Sequence, residues 1–191
     1  MKAVFMSGSS RSNVGKKDAK ALRVEGLVPC VLYGGDSQTH FSVKEADFKP
    51  LLFTPDVHTV DLEIDGKSYK AVLQDIQYHN LSDKVLHADF LQLSESKPMI
   101  IQIPVRTTGN SAGVRAGGKL VTKLRKVKVR ALLKDLPDFI TIDITPLEIG
   151  QGVKVREISV PGLTLLDAQN VDVVAVTATR ASRQAADDAK K

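Results

Sequence analysis

The clearest alternation of apolar and polar positions lies in "TVDLEIDGKSYKAVLQDIQYH", residues 59–79. Val60, Leu62 and Ile64 fall on one side of an extended chain, and Thr59, Asp61 and Glu63 on the other. Asp65-Gly66 interrupts the alternation and predicts a tight hairpin turn. "VLHADFLQL" alternates again after the polar loop "NLSDK", so a second hairpin follows the first. Upstream, "LVPCVLYGG" reads as a buried strand stopped by Gly34 and Gly35, with Cys30 a small core residue. "NVGKKDAKALRVEG" has helical spacing, with Asn13 as its cap and Gly26 as its left-handed stop. "SVKEADFKPLLF" predicts a weaker helix packed through Phe48, Leu51 and Leu52 and limited by Pro50.

Downstream, "MIIQIPVRTT", "KLRKVKVRALL", "FITIDI", "GVKVREISV", "LTLL" and "VDVVAVTAT" read as strands, some separated by turns such as "RAGGK" and "EIGQG". "SESKP", residues 94–98, is the best boundary. It divides residues 1–95 from a second β-rich domain at 96–178, and a polar tail at 179–191 is expected to fray or stay disordered.

Charge sharpens that boundary. The net charge of +5 hides four blocks: residues 1–24 at +5, 25–95 at −7, 96–134 at +10 and 135–191 at −3. Residues 96–134 hold ten basic residues and no acid. Two concentrated basic blocks favour a polyanionic partner, because neutralised phosphates release counterions. A pair of solvated basic faces is the plainer alternative. No apolar run approaches the length of a membrane span. One cysteine leaves no internal disulfide and no cysteine metal cluster, and a cytoplasmic protein is the simplest expectation.

The candidate chemistry lies in "QDIQYHNLSDKVLHADF", residues 74–90. Alternation puts Asp75, Gln77 and His79 on one face, and His87 and Asp89 on a face of the return strand. Ile76, Leu86, Ala88 and Phe90 then back them. Three uses compete. His79, His87 and Asp89 could form the two-histidine, one-carboxylate centre of a small metal-dependent β-barrel enzyme, although the spacing fits no strong metal motif. The residues could be the wet side of an ordinary sheet. Or they could recognise nucleic acid, since carboxylates accept from cytosine amino groups and glutamine engages adenine on two atoms. Lys16, Lys20 and Arg23 recur at helical spacing and would hold phosphates. A regular RNA duplex hides its major groove, so the target would be an irregular helix. Aromatic residues are only 5% of the chain, which argues against a single-strand stacking platform.

"KALRVEGLVPCVLYGG" and "LQDIQYHNLSDKVLHADF" together resemble the family of bacterial large-subunit ribosomal protein twenty-five, in its long two-domain form, also called the general stress protein Ctc family. "GVRAGGKL" and "LPDFITIDITPLEIGQGVKV" resemble that family's second domain. The resemblance spans roughly residues 11–177. It implies a mainly β protein, with an N-terminal β-barrel carrying short helices and a β-rich second domain. It implies a non-enzymatic ribosomal component in the cytoplasm that binds 5S ribosomal RNA at an irregular internal loop. Other large-subunit components would be met through the basic second domain, with no membrane and no small-molecule substrate. No cofactor is implied, magnesium being present only as ions on the RNA. Carried over by position, Arg11, Lys16, Lys17, Lys20, Arg23 and Tyr33 would lie along the RNA backbone. Gln74, Asp75, Gln77, His79, His87 and Asp89 would face or support the groove. Alternation separates Gln74 from Asp75, so both can face the groove only if the strand bends there. A stress-linked protein that no longer sits on the ribosome is a third option. Asn80 departs from the family's usual proline, Lys17 from a usually small residue, and "MKAVFMSGSS" from a more charged start.

Overall fold

A computed structural model describes residues 2–35, 37–94, 97–180 and 182. The chain divides into two compact units, residues 1–99 and 100–191. The expected linker at 94–98 and the tail at 179–191 fall partly or mostly outside the described residues.

The first unit is a closed six-stranded barrel of order β1-β3-β2-β6-β5-β4. Its strands are β1 (Lys2–Ser10), β2 (Leu27–Tyr33), β3 (Thr39–Lys44), β4 (His58–Ile64), β5 (Lys67–Tyr78) and β6 (Val85–Gln92). β1 closes the barrel by pairing parallel with β4, and β2 pairs parallel with β6. Asp65 and Gly66 both have positive φ, +48° and +79°, as the tight turn between β4 and β5 requires. Met6, Val28, Cys30, Leu32, Phe41, Val43, Val60, Leu62, Ile64, Ala88 and Phe90 fill the interior. Burial pushes the Cys30 thiol far above its ordinary range, so it stays protonated in this core.

Two elements differ from the sequence expectations. The first three residues of "SVKEADFKPLLF" belong to β3, and Glu45–Leu52 turns helical, as a 3-10 turn running into α2 (Lys49–Leu52). Pro50 sits in the first turn of α2, where its missing N–H leaves no helical bond unmade. Phe48 and Leu51 are buried as expected. Helix α1 (Lys16–Val24) is capped by Gly15 rather than Asn13, and no side chain caps it. It stops at Gly26, whose φ is +78°.

The second unit holds one sheet of order β10-β7-β9-β12 and another of order β11-β13-β8. The strands are β7 (Met99–Thr108), β8 (Lys119–Thr122), β9 (Lys126–Ala131), β10 (Ile140–Asp143), β11 (Gly152–Lys154), β12 (Thr164–Leu165) and β13 (Asp172–Thr177). A single-turn helix, α3 (Ala112–Arg115), precedes β8. β8 has no counterpart among the strands read from the sequence. "GVKVREISV" is not one strand. It ends at Lys154 and turns 3-10 over Val155–Glu157, where the Glu157 carboxylate accepts the Lys154 N–H at 3.2 Å. That side-chain bond supplies the backbone with an alternative to the ladder. Among the described residues no helix is long and apolar enough to cross a membrane.

Candidate nucleic-acid interface

The site is built on the β5–β6 pair, and its geometry is set by two bulges. Leu73 pairs with Phe90, and the next pair along is Asp75 with Asp89, so Gln74 is an extra residue on β5. Gln77 pairs with His87, and Tyr78 with Val85, so Leu86 is an extra residue on β6. A bulge breaks strict alternation. Leu73 and Ile76 therefore both pack against the core although they are an odd number of residues apart. Gln74, Asp75 and Gln77 all remain exposed on the outer side. The bend that Gln74 needed in order to share a face with Asp75 is present.

On β6, Val85 and Ala88 are buried, while Leu86 is only half-buried and stands outside the core that the sequence assigned to it. His87 and Asp89 face outward, with His87 Nδ1 2.9 Å from Asp89 Oδ1. Across the sheet Asp89 pairs with Val31 on β2, and Val31 with His40 on β3. The outer face thus runs Asp75–Asp89–Val31–His40 over four strands, with Gln77–His87 in the row beside it.

Tyr33 lies on the same face at the end of β2. Its phenol is raised above the ordinary value by burial and then by the charges of Asp89 and Asp75. His79 sits one residue beyond β5. Its N–H donates to the Lys84 carbonyl at 2.8 Å, and its Nδ1 lies 3.0 Å from the Ser82 hydroxyl. With Arg23, Lys84 and Leu86 it lines a cleft of about 230 Å³. The two-histidine, one-carboxylate centre does not form. His79 is engaged in its own turn, and among the described residues no three His, Cys, Asp or Glu side chains gather as metal ligands.

Helix α1 packs on β2 beside this face. Ala19 and Leu22 are half-buried, while Lys16, Lys17, Lys20 and Arg23 are exposed. Arg23 Nε donates to the Leu86 carbonyl at 3.0 Å. Leu86 is the bulged residue, so its carbonyl offers an acceptor outside the regular ladder. Arg11 differs from the open phosphate contact that the resemblance implied. Its side chain is only 9% exposed and pairs with Asp18 at 2.9 Å, with a further bond to the Asn13 carbonyl. Its N–H donates to the His40 carbonyl. Arg11 thereby ties the chain leaving β1 to the first turn of α1.

Sequence reasoning passed over Asp18 and His40 as contributors and misplaced Leu86. Asp18 is the only acid among residues 1–24, and that isolation was its signal. Leu86 was signalled by the odd spacing of Val85 and Ala88. His40 carried no signal, because β3 was not read as a strand and its last three residues were assigned to a helix.

The sequence matches the Ribosomal L25p family over residues 6–90 and the family described as ribosomal protein TL5, C-terminal domain, over residues 98–180. A large ribosomal subunit protein bL25 from Phocaeicola vulgatus is 46% identical over the whole of both chains. Proteins of the same name from Porphyromonas gingivalis and Cytophaga hutchinsonii are 43% and 45% identical. They cover 97% and 96% of this chain, and 98% and 96% of their own. Carrying both matched domains, the chain belongs to the Ribosomal L25p family and is a structural component of the large ribosomal subunit rather than an enzyme.

Proposed function

We propose that the first unit binds 5S ribosomal RNA at an irregular internal loop, in the cytoplasm and on the ribosome. The observation that carries this is the bulge at Gln74, which leaves Gln74, Asp75 and Gln77 on one outer face beside an exposed basic helix. Carboxylates on an RNA-facing surface repel phosphates, so they need a role that cations cannot fill. Accepting base amino protons is that role. Asp75 and the two glutamines read base edges, and Asp89 is oriented by His87. Lys16, Lys17 and Lys20 hold phosphates, which fix register without reading sequence. Arg23 and Arg11 set the helix against the barrel. The protein supplies no cofactor, and magnesium enters only as ions on the RNA. The basic second unit extends contact to neighbouring components of the subunit.

The test is a gel shift against 5S ribosomal RNA across a salt series. Asp75→Ala should cost about 1–3 kcal/mol with little change in salt slope, while Lys20→Ala should lower the slope by about one. Unchanged affinity in both variants would mean that another face binds the RNA.

A further inference from the structure

We propose that the outer face of the β10-β7-β9-β12 sheet is a second RNA surface, which grips a phosphate backbone without reading bases. The proposal rests on the chain's place in the ribosome and is independent of how the barrel recognises its RNA.

The sequence pattern "KVKVR" allowed a plain alternative, in which charges guard an exposed edge strand against aggregation. The topology weakens it. β9 lies between β7 and β12, and β12 pairs with Val129 and Arg130, so that end of the strand has no open edge to guard. Val127, Val129 and Ala131 are buried, which turns Lys126, Lys128 and Arg130 outward together. None of the ion pairs found among the described residues involves these three. Two acids of this sheet region are engaged by donors other than the three cations, Asp143 sharing the exposed side of β10 with Thr141. Asp143 Oδ1 accepts the Thr145 N–H at 2.9 Å and its hydroxyl at 2.6 Å, and Asp167 Oδ2 accepts the Lys128 backbone N–H at 2.8 Å.

Spacing and composition select the ligand. Alternate residues on a strand stand about 6.8 Å apart, so one strand presents three cations in a row to a phosphate backbone. Gln102 on β7, Thr141 on β10 and Thr164 on β12 extend the face with neutral donors. Phe139, the nearby aromatic, is 39% exposed and carries the Arg106 guanidinium over one face at 4.3 Å. A face dominated by cations, hydroxyls and an amide, with one arginine-engaged ring, binds phosphate and sugar.

The experiment uses the full chain and a fully paired RNA duplex that contains no irregular loop. Binding is measured across a salt series for the native protein and for the triple variant Lys126→Gln, Lys128→Gln, Arg130→Gln. The triple variant should lower the salt slope by about two to three. All three substituted residues are exposed, so the thermal midpoint should hold, and circular dichroism checks this. An unchanged slope in the triple variant overturns the proposal. So does polyglutamate bound as tightly as the duplex through the same three residues, because the face would then be a general anion surface. Failure of the 5S reading appears separately, as a loss-free Asp75→Ala on 5S RNA.

Discussion

Arg23 Nε donates to the Leu86 carbonyl across 3.0 Å, and Leu86 is the residue by which β6 exceeds β5. One bond thus joins the basic helix to the hairpin at the point where the hairpin departs from a regular ladder. Phosphate-holding and base-reading groups must keep a fixed offset if both are to meet one RNA groove. No residue of α1 is fully buried, so packing alone holds the helix weakly. Arg23–Leu86 and Arg11–Asp18 secure it at its two ends.

Arg23→Ala should therefore do more than remove one charge. Losing the bond at a half-exposed carbonyl should cost about 1 kcal/mol of stability. The larger effect should be on RNA, where Lys16 and Lys20 lose their register along with Arg23. Arg23→Lys retains the charge without the guanidinium fork and should recover only part of the affinity. Complete recovery by lysine would show that Arg23 acts as a point charge and not as a clamp. Binding isotherms and thermal melts on the same samples separate the two effects.

Gln74 allows an unusually clean deletion. Leu73 and Asp75 already pair with successive residues of β6, so removing Gln74 restores a regular ladder without turning any neighbour around. The barrel should fold with a thermal midpoint close to that of the native chain. Recognition of the irregular RNA should weaken, because the bulged side chain and the local twist are both lost. Gln74→Ala keeps the bulge and isolates the side chain. A deletion variant that unfolds would show that the bulge is needed for barrel closure.

How far the sequence reveals this site depends on whether local pattern or pairing decides each feature. Val60, Leu62 and Ile64 alternate with Asp61 and Glu63, and the turn at Asp65-Gly66 follows from φ preferences, so the β4–β5 hairpin is legible locally. Lys126, Lys128 and Arg130 alternate as plainly, yet their position on an inner strand depends on β7 and β12, far away in sequence. The bulges lie between these cases. Leu73 with Ile76, and Val85 with Ala88, are apolar pairs three residues apart inside strands, a spacing that strict alternation forbids. Strict alternation placed Leu86 in the core because it carried the period past the point where the strand breaks it. β3 escaped notice because "FSVKEADF" runs from strand into helical turn without a glycine or proline between them.

The row linking Tyr33, Asp89 and Asp75 can be tested in the free protein by titration. The Tyr33 phenol is held above its ordinary value of 10.0 by burial first and the two carboxylates second. Because the folded state binds this proton more tightly, the associated stability is fully present below the unfolded value and is lost as pH rises through the folded one. Ultraviolet absorbance should show Tyr33 ionising above pH 10, and Asp89→Asn should move that step down while leaving part of the shift. Tyr78 is raised by burial alone and serves as the internal reference, with no response to Asp89→Asn. A Tyr33 step that ignores both Asp89→Asn and Asp75→Asn would mean that the phenol does not share a face with the carboxylates, and the four-strand recognition surface would lose its corner.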